Sequence, residues 1–153
     1  MAKRPWLPFY PSDWLANTSL KRCNHEEKGV WLEILCLMHD SESYGILRWN
    51  SIEISRVINC KPKVVRGLIS KKILKGTDDG FVEDFIFTPT LSGRRKGSPI
   101  LLIPKQQGPL WYSSRMVVDE YKRLVRADPN HAPNTAPKGG LSASLSSHLR
   151  VAE

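Results

Sequence analysis

Ser51-Ile-Glu-Ile-Ser-Arg-Val-Ile-Asn59-Cys-Lys-Pro62-Lys-Val-Val-Arg66-Gly-Leu-Ile-Ser70-Lys-Lys-Ile-Leu-Lys-Gly-Thr-Asp78-Asp-Gly80-Phe-Val-Glu-Asp-Phe-Ile-Phe87 reads as two short helices joined by a tight turn, then a hairpin. Asn50 or Ser51 caps the first helix, and Ile54, Val57 and Ile58 give it a narrow apolar stripe. Asn59 tolerates the left-handed conformation that a turn between helices needs. Pro62 stands where a new helix begins, and its missing N–H is no loss there. In the second helix Val65, Leu68, Ile69 and Ile73 face inward, which turns Lys63, Arg66, Ser70 and Lys71 outward. Gly67 falls on that outer side, where it permits close approach of a backbone at a cost of about 1 kcal/mol in helix stability. Asp79-Gly80 is a two-residue turn signal whose flanks can pair as a wing. The pattern predicts a winged helix-turn-helix, α+β in class. Its second helix is also the most cationic part of the chain, with Lys61, Lys63, Arg66, Lys71 and Lys72 and no acid.

Upstream, Asn24 as N-cap with Glu27 three positions on opens a long helix to about His39. Trp31, Ile34, Leu35 and Met38 share one face, widened by Val30, Leu32 and Leu37, so this helix is scaffold. Before it, Pro5, Pro8 and Pro11 interleave with Trp6, Phe9, Tyr10 and Trp14, an extended strap too aromatic to be left in water, with Ser12 or Asp13 capping a single turn. Ile46 to Trp49 reads as a short strand. Downstream, a loop from Thr88 to Gly97 carries Arg94-Arg95-Lys96, and Ile100–Ile103 with Leu110–Ser113 form an additional hairpin. A C-terminal helix follows from Ser114 to Ala127, with Met116, Val117, Tyr121, Leu124 and Val125 as its apolar face, and Asp128-Pro129 stops it. The remaining Pro/Gly/Ser-rich stretch is expected to be a disordered tail, in which Leu141, Leu145 and Leu149 recur every fourth residue. The expected division is an aromatic strap over 1–23, a winged-helix core over 24–87, an inserted hairpin and helix over 88–127, and a flexible tail over 128–153.

The 153 residues carry a formal charge of +8 and a pI of 9.6, which favours a polyanionic partner, nucleic acid first and an anionic membrane surface second. Cys23, Cys36 and Cys60 form no disulfide framework and suit a reducing compartment, so the expected location is cytoplasmic. Three prolines before Ser12 break the apolar helix of a signal peptide, and no run approaches the roughly twenty apolar residues that span a bilayer. Cys23, His25, Cys36 and His39 fit no standard zinc finger and read as a buried thiol in a helix body with surface histidines. Asp13, Glu26 and Lys28 faintly resemble a nuclease set, but the helix dipole and the capping box already account for the glutamates. With no phosphate-binding glycine loop and no nucleophile elbow, no enzymatic activity, metal or cofactor is expected.

Three blocks resemble the YdaU-like family of prophage proteins, itself similar to phage replication initiators and replisome organisers. They are Pro5-Trp6-Leu7-Pro8-Phe9-Tyr10 with Asp13-Trp14-Leu15 and Asn17-Thr18, then Glu26-Glu27-Lys28-Gly29-Val30-Trp31 with Leu32 and Leu35, then Trp111 through Arg115-Met116 to Glu120. The resemblance implies a winged-helix domain that binds DNA at a phage origin, ahead of a region that recruits a helicase or its loader. Two features depart from it: the stretch from Thr88 to Pro109 looks inserted, and no sizeable second domain follows.

The expected partner is double-stranded DNA. Lys63, Arg66, Ser70 and Lys71 are the base-facing candidates, and Arg66 is the best reader because a guanidinium can bond guanine through two donors. Lys3, Arg4, Lys61, Arg94, Arg95 and Lys96 are the phosphate candidates. Asp78, Asp79, Glu83 and Asp84 make the wing acidic, so it should angle away from the backbone. That acidity, the inserted hairpin and the leucine-spaced tail motivate the alternative of an adaptor or inhibitor that docks a replisome or other host or phage protein. An inserted hairpin lying over the helix that begins at Pro62 would favour that alternative.

Overall fold

Side-chain caps and prolines set the helix starts of this protein, whose computed structural model describes residues 4–128 as a mixed α+β fold with small antiparallel sheets. Pro11 opens α1 (Pro11–Ala16), and the Asn17 carboxamide accepts from the N–H groups of Ser19 and Leu20 to open α2 (Thr18–Lys21). Asn24 and Glu27 form the expected capping box at the start of α3 (His25–Asp40), each side chain accepting from the other's backbone N–H. After the short strand β1 (Ile46–Leu47), Asn50 and Glu53 form a second capping box on α4 (Ser51–Ile58). Asn59 stops α4 at φ 61°, ψ 48°, the left-handed geometry its residue type anticipates, and α5 (Pro62–Ser70) begins at the proline. Ile54 of α4 and Val65 and Leu68 of α5 are fully buried against Ile34 and Met38 of α3. Each such side chain contributes roughly 1.5–3 kcal/mol.

The strands differ from the expectation of two successive hairpins. They are β2 (Lys75–Thr77), β3 (Phe81–Val82), β4 (Phe85–Phe87), β5 (Ile100–Ile103), β6 (Gln106–Gln107) and β7 (Leu110–Tyr112). β2 pairs with β7, β3 with β6 and β4 with β5, all antiparallel. The supposed wing and the supposed insertion are thus the two arms of one long ribbon, whose pairing continues past Phe87 to a Thr90–Lys96 bridge. β1 adds to β7 on the side away from β2, giving a three-stranded sheet in the order β1-β7-β2. Strand alternation then divides two cores. Leu47 and Trp111 face the α3–α5 side, while Ile46 and Leu110 join Val82, Leu102 and Ile103 beneath α6 (Ser114–Ala127). Two self-paired hairpins would leave that second core without a sheet to pack on, and burial of its residues decides the pairing.

Asp79-Gly80 therefore bends the outgoing arm rather than reversing it. Gly80 N–H donates to Thr77 Oγ1, and Gly108 N–H reaches across the ribbon to the Gly80 carbonyl at 2.8 Å. Asp78 is turned inward, where its carboxylate accepts from Ser51 N–H at 2.6 Å, Ser51 Oγ–H at 2.5 Å and Trp111 Nε1–H at 2.9 Å. It ties the start of α4 to the ribbon and to β7. Asp78→Ala leaves all three donors without this acceptor and is expected to cost about 2–4 kcal/mol, read from urea denaturation followed by tryptophan emission.

Candidate nucleic-acid interface

At 100° per residue, α5 puts Val64, Val65 and Leu68 into the core and Lys63, Arg66 and Ser70 on the opposite side, where all three are exposed. Lys61, just before the helix, is exposed as well. The ribbon does not cover this face. Ser70 Oγ donates back to the Gly67 carbonyl at 3.0 Å, which uses its hydrogen but leaves its oxygen facing solvent.

Lys71 does not belong to that face. It sits at the C-cap of α5, past the last regular turn, and its ammonium contacts both carboxylate oxygens of Glu27 at 2.6 Å. Lys71 is half-buried and Glu27 is buried. Gly67 is explained by the same pair. A Cβ there would lie 2.7 Å from Glu27 Oε2, so the glycine makes room for a carboxylate rather than for a DNA backbone. The Lys71 hydrogen bond is the main cause holding Glu27 below the ordinary carboxyl pKa; burial opposes it, and the Asn24 N–H assists.

A lowered folded-state pKa stabilises the protein above the unfolded carboxyl range, and that stabilisation is lost as pH falls through the folded value. Glu27→Gln should therefore make unfolding midpoints fall less steeply between about pH 5 and pH 3 than in the wild type. Glu120 retains part of the acid dependence. Burial raises its pKa, but the Arg123 hydrogen bond and the Arg123 and Arg4 charges outweigh this and hold it low.

Arg4, a phosphate candidate by sequence, is engaged at that site. Its Nε donates to Glu120 Oε2 at 3.0 Å, its guanidinium lies 4.4 Å from the Tyr44 ring centroid, and its side chain is 12% exposed. Because the Arg4 carbonyl can only accept, His39 Nε2 donates to it at 3.1 Å, and His39 Nδ1 hydrogen-bonds the Tyr44 Oη hydroxyl at 3.1 Å. Arg4 thus locks the strap to α6 and is withdrawn from the phosphate set. Lys3 lies outside the described residues, as does the leucine-spaced tail from residue 129.

Arg94, Arg95 and Lys96 are exposed at the tip of the ribbon. Gly93 at φ 76° and Arg94 at φ 63° make the reversal, closed by Leu91 N–H donating to the Arg95 carbonyl at 2.7 Å and Gly97 N–H to that of Pro89 at 2.8 Å. The acids that sequence placed at a wing tip lie elsewhere. Asp78 is half-buried and turned toward Ser51, Asp79 is exposed beside it at the bend, Asp84 accepts from Lys105 N–H at 2.6 Å, and Glu83 pairs with Lys105 Nζ at 3.2 Å.

Cys23 is buried while Cys36, expected inside the helix body, is exposed. Among the described residues no group of three or more His, Cys, Asp or Glu side chains converges as a metal site, and no helix is long and apolar enough to cross a membrane. No family model matches this chain, no curated protein matches it, and no solved structure matches it.

Proposed function

We propose that this protein is a winged helix-turn-helix that binds duplex DNA, without catalysis, in the replication initiation of a phage or prophage or in its control. The observation that carries the reading is the face of α5: Lys63, Arg66 and Ser70 point together into solvent on a helix whose other side is anchored in the core. The element order α3-β1-α4-α5-β2-β7 and the strand order β1-β7-β2 support a winged helix with its wing enlarged into the long ribbon. A ribbon lying over the α5 face would have favoured the adaptor reading, and that face is exposed. Replication, among the uses of DNA binding, rests on the likeness of the aromatic opening to YdaU-like prophage proteins.

The test is duplex titration at increasing salt. Affinity should fall by about 0.9 log units per phosphate contact for each log of salt. Arg66→Ala should cost about 1–3 kcal/mol and relax preference at one base pair, while Lys61→Ala should weaken all sequences alike. Absence of binding to any duplex at low salt ends the proposal.

A further inference from the structure

The strap between Pro5 and Pro11 does not bury its aromatics as their hydrophobicity leads one to expect. Trp6 is 67% exposed, Phe9 51% and Tyr10 49%, while Leu7 and Trp14 are the strap side chains that pack on the core. A concentration of exposed rings of this kind marks a binding surface. Behind it lies an open cleft of about 340 Å³, within the usual range for ligand sites. Phe9, Tyr10 and Trp14 supply aromatic wall, and Lys72, Lys75 and Arg115 supply cations.

The charges are arranged for a polyanion. Arg115 lies 4.3 Å from the Tyr10 ring centroid and donates to Asp13 at 2.6 Å, so the Asp13 charge is neutralised and the ring carries a stacked guanidinium. That leaves Lys72 and Lys75 in the lining against one further carboxylate, Asp119. Lys75 Nζ donates to Ser114 Oγ at 2.7 Å, an uncharged partner. Lys72 is held at φ 61°, a conformation a lysine enters at a cost. Aromatic faces beside unneutralised cations are the means by which an unpaired strand is gripped, whereas a duplex hides its base faces.

We propose that this cleft holds an unpaired nucleotide of single-stranded DNA, with its base against Phe9 and Tyr10 and its flanking phosphates on Lys72 and Lys75. None of the outward residues of α5 lines the cleft, so the site is separate from the duplex-reading face and does not depend on it.

The test uses the full chain with a fluorescein-labelled oligothymidine of about 16 nucleotides and, separately, a mixed-sequence duplex, followed by anisotropy at low salt. Phe9→Ala and Tyr10→Ala should each weaken oligothymidine binding roughly tenfold and leave duplex binding unchanged. Lys72→Gly removes the charge in favour of the residue best suited to that φ, and should weaken the single strand while lowering its salt slope by about 0.7. Thermal melts matching the wild type exclude unfolding as the cause. Arg66→Ala should leave oligothymidine binding intact. The assignment is overturned if oligothymidine does not bind, if all three cleft variants bind it like the wild type, or if Arg66→Ala alone abolishes binding.

Discussion

Gly76→Ala lowers the unfolding free energy by about 3–5 kcal/mol, the sum of a strained backbone and an overpacked contact. Gly76 holds φ 137° in β2, and a Cβ there would lie 1.9 Å from the Leu110 carbonyl oxygen and 2.9 Å from Trp111 Cα. Both are backbone atoms of the central strand β7, so no side-chain rotation relieves the clash. Relief requires β2 to separate from β7, which breaks the pairing of Lys75 with Tyr112 and of Thr77 with Leu110. Because Leu110 and Trp111 belong to different cores, both are disturbed at once. Gly67→Ala is the internal comparison. Its Cβ meets only the end of the Glu27 side chain, and the gain of about 1 kcal/mol in helix propensity offsets part of the displacement. Urea denaturation should therefore move the midpoint far for Gly76→Ala and little for Gly67→Ala, with unchanged slope. Equal midpoints for the two variants would contradict the strand register.

What the sequence made legible is what acts over three or four residues. Asn24 with Glu27, Asn59 before Pro62, and the stripe on the last helix each specify their element through adjacent backbone groups, and each is found in place. The face of α5 was legible for the same reason, since helical period alone turns Lys63, Arg66 and Ser70 together. The ribbon was not. Lys75 pairs with Tyr112, and the alternation in residues 81–87 suits a self-paired hairpin as well as one long ribbon. The Asp79-Gly80 signal was genuine but local, and the three donors converging on Asp78 hold the chain in a bend instead.

Within the site, the differences from expectation share that origin. Helical period turns Lys71 outward at a position where α5 has already ended, and the one hint of its partner is an acid in the first turn of another helix. Arg4 meets Glu120 across 116 positions, which no local pattern announces. The strap aromatics were expected inside on hydrophobicity alone, yet the core beneath them is already filled by Leu7, Trp14 and Leu20.

Replacing Arg94, Arg95 and Lys96 together with glutamine is expected to reduce the salt slope of duplex binding by up to about 2.7 and to weaken binding on the order of a hundredfold near 0.1 M salt. Residues 88–100 contain no acid, and the three cations project from a hydrogen-bonded reversal rather than from a disordered loop. The neighbouring end of α6 adds to the same sign. Phe87 meets the Tyr121 ring at 5.9 Å, and Lys122 Nζ lies 5.7 Å from the Phe87 centroid, so the exposed Lys122 stands beside the last strand before the tip. The acids lie at the waist of the ribbon, with Asp78 bonded to Ser51 and Trp111, Asp79 exposed at the bend, and Glu83 and Asp84 engaged by Lys105. Repulsion of phosphates, the sequence-based objection to a DNA-contacting wing, therefore acts away from the tip. Glu83→Gln with Asp84→Asn, which alters only the waist, should leave the slope close to that of the wild type. A tip variant that keeps the wild-type slope would place the backbone contacts elsewhere, and Lys61 with Lys122 would be the next cations to neutralise.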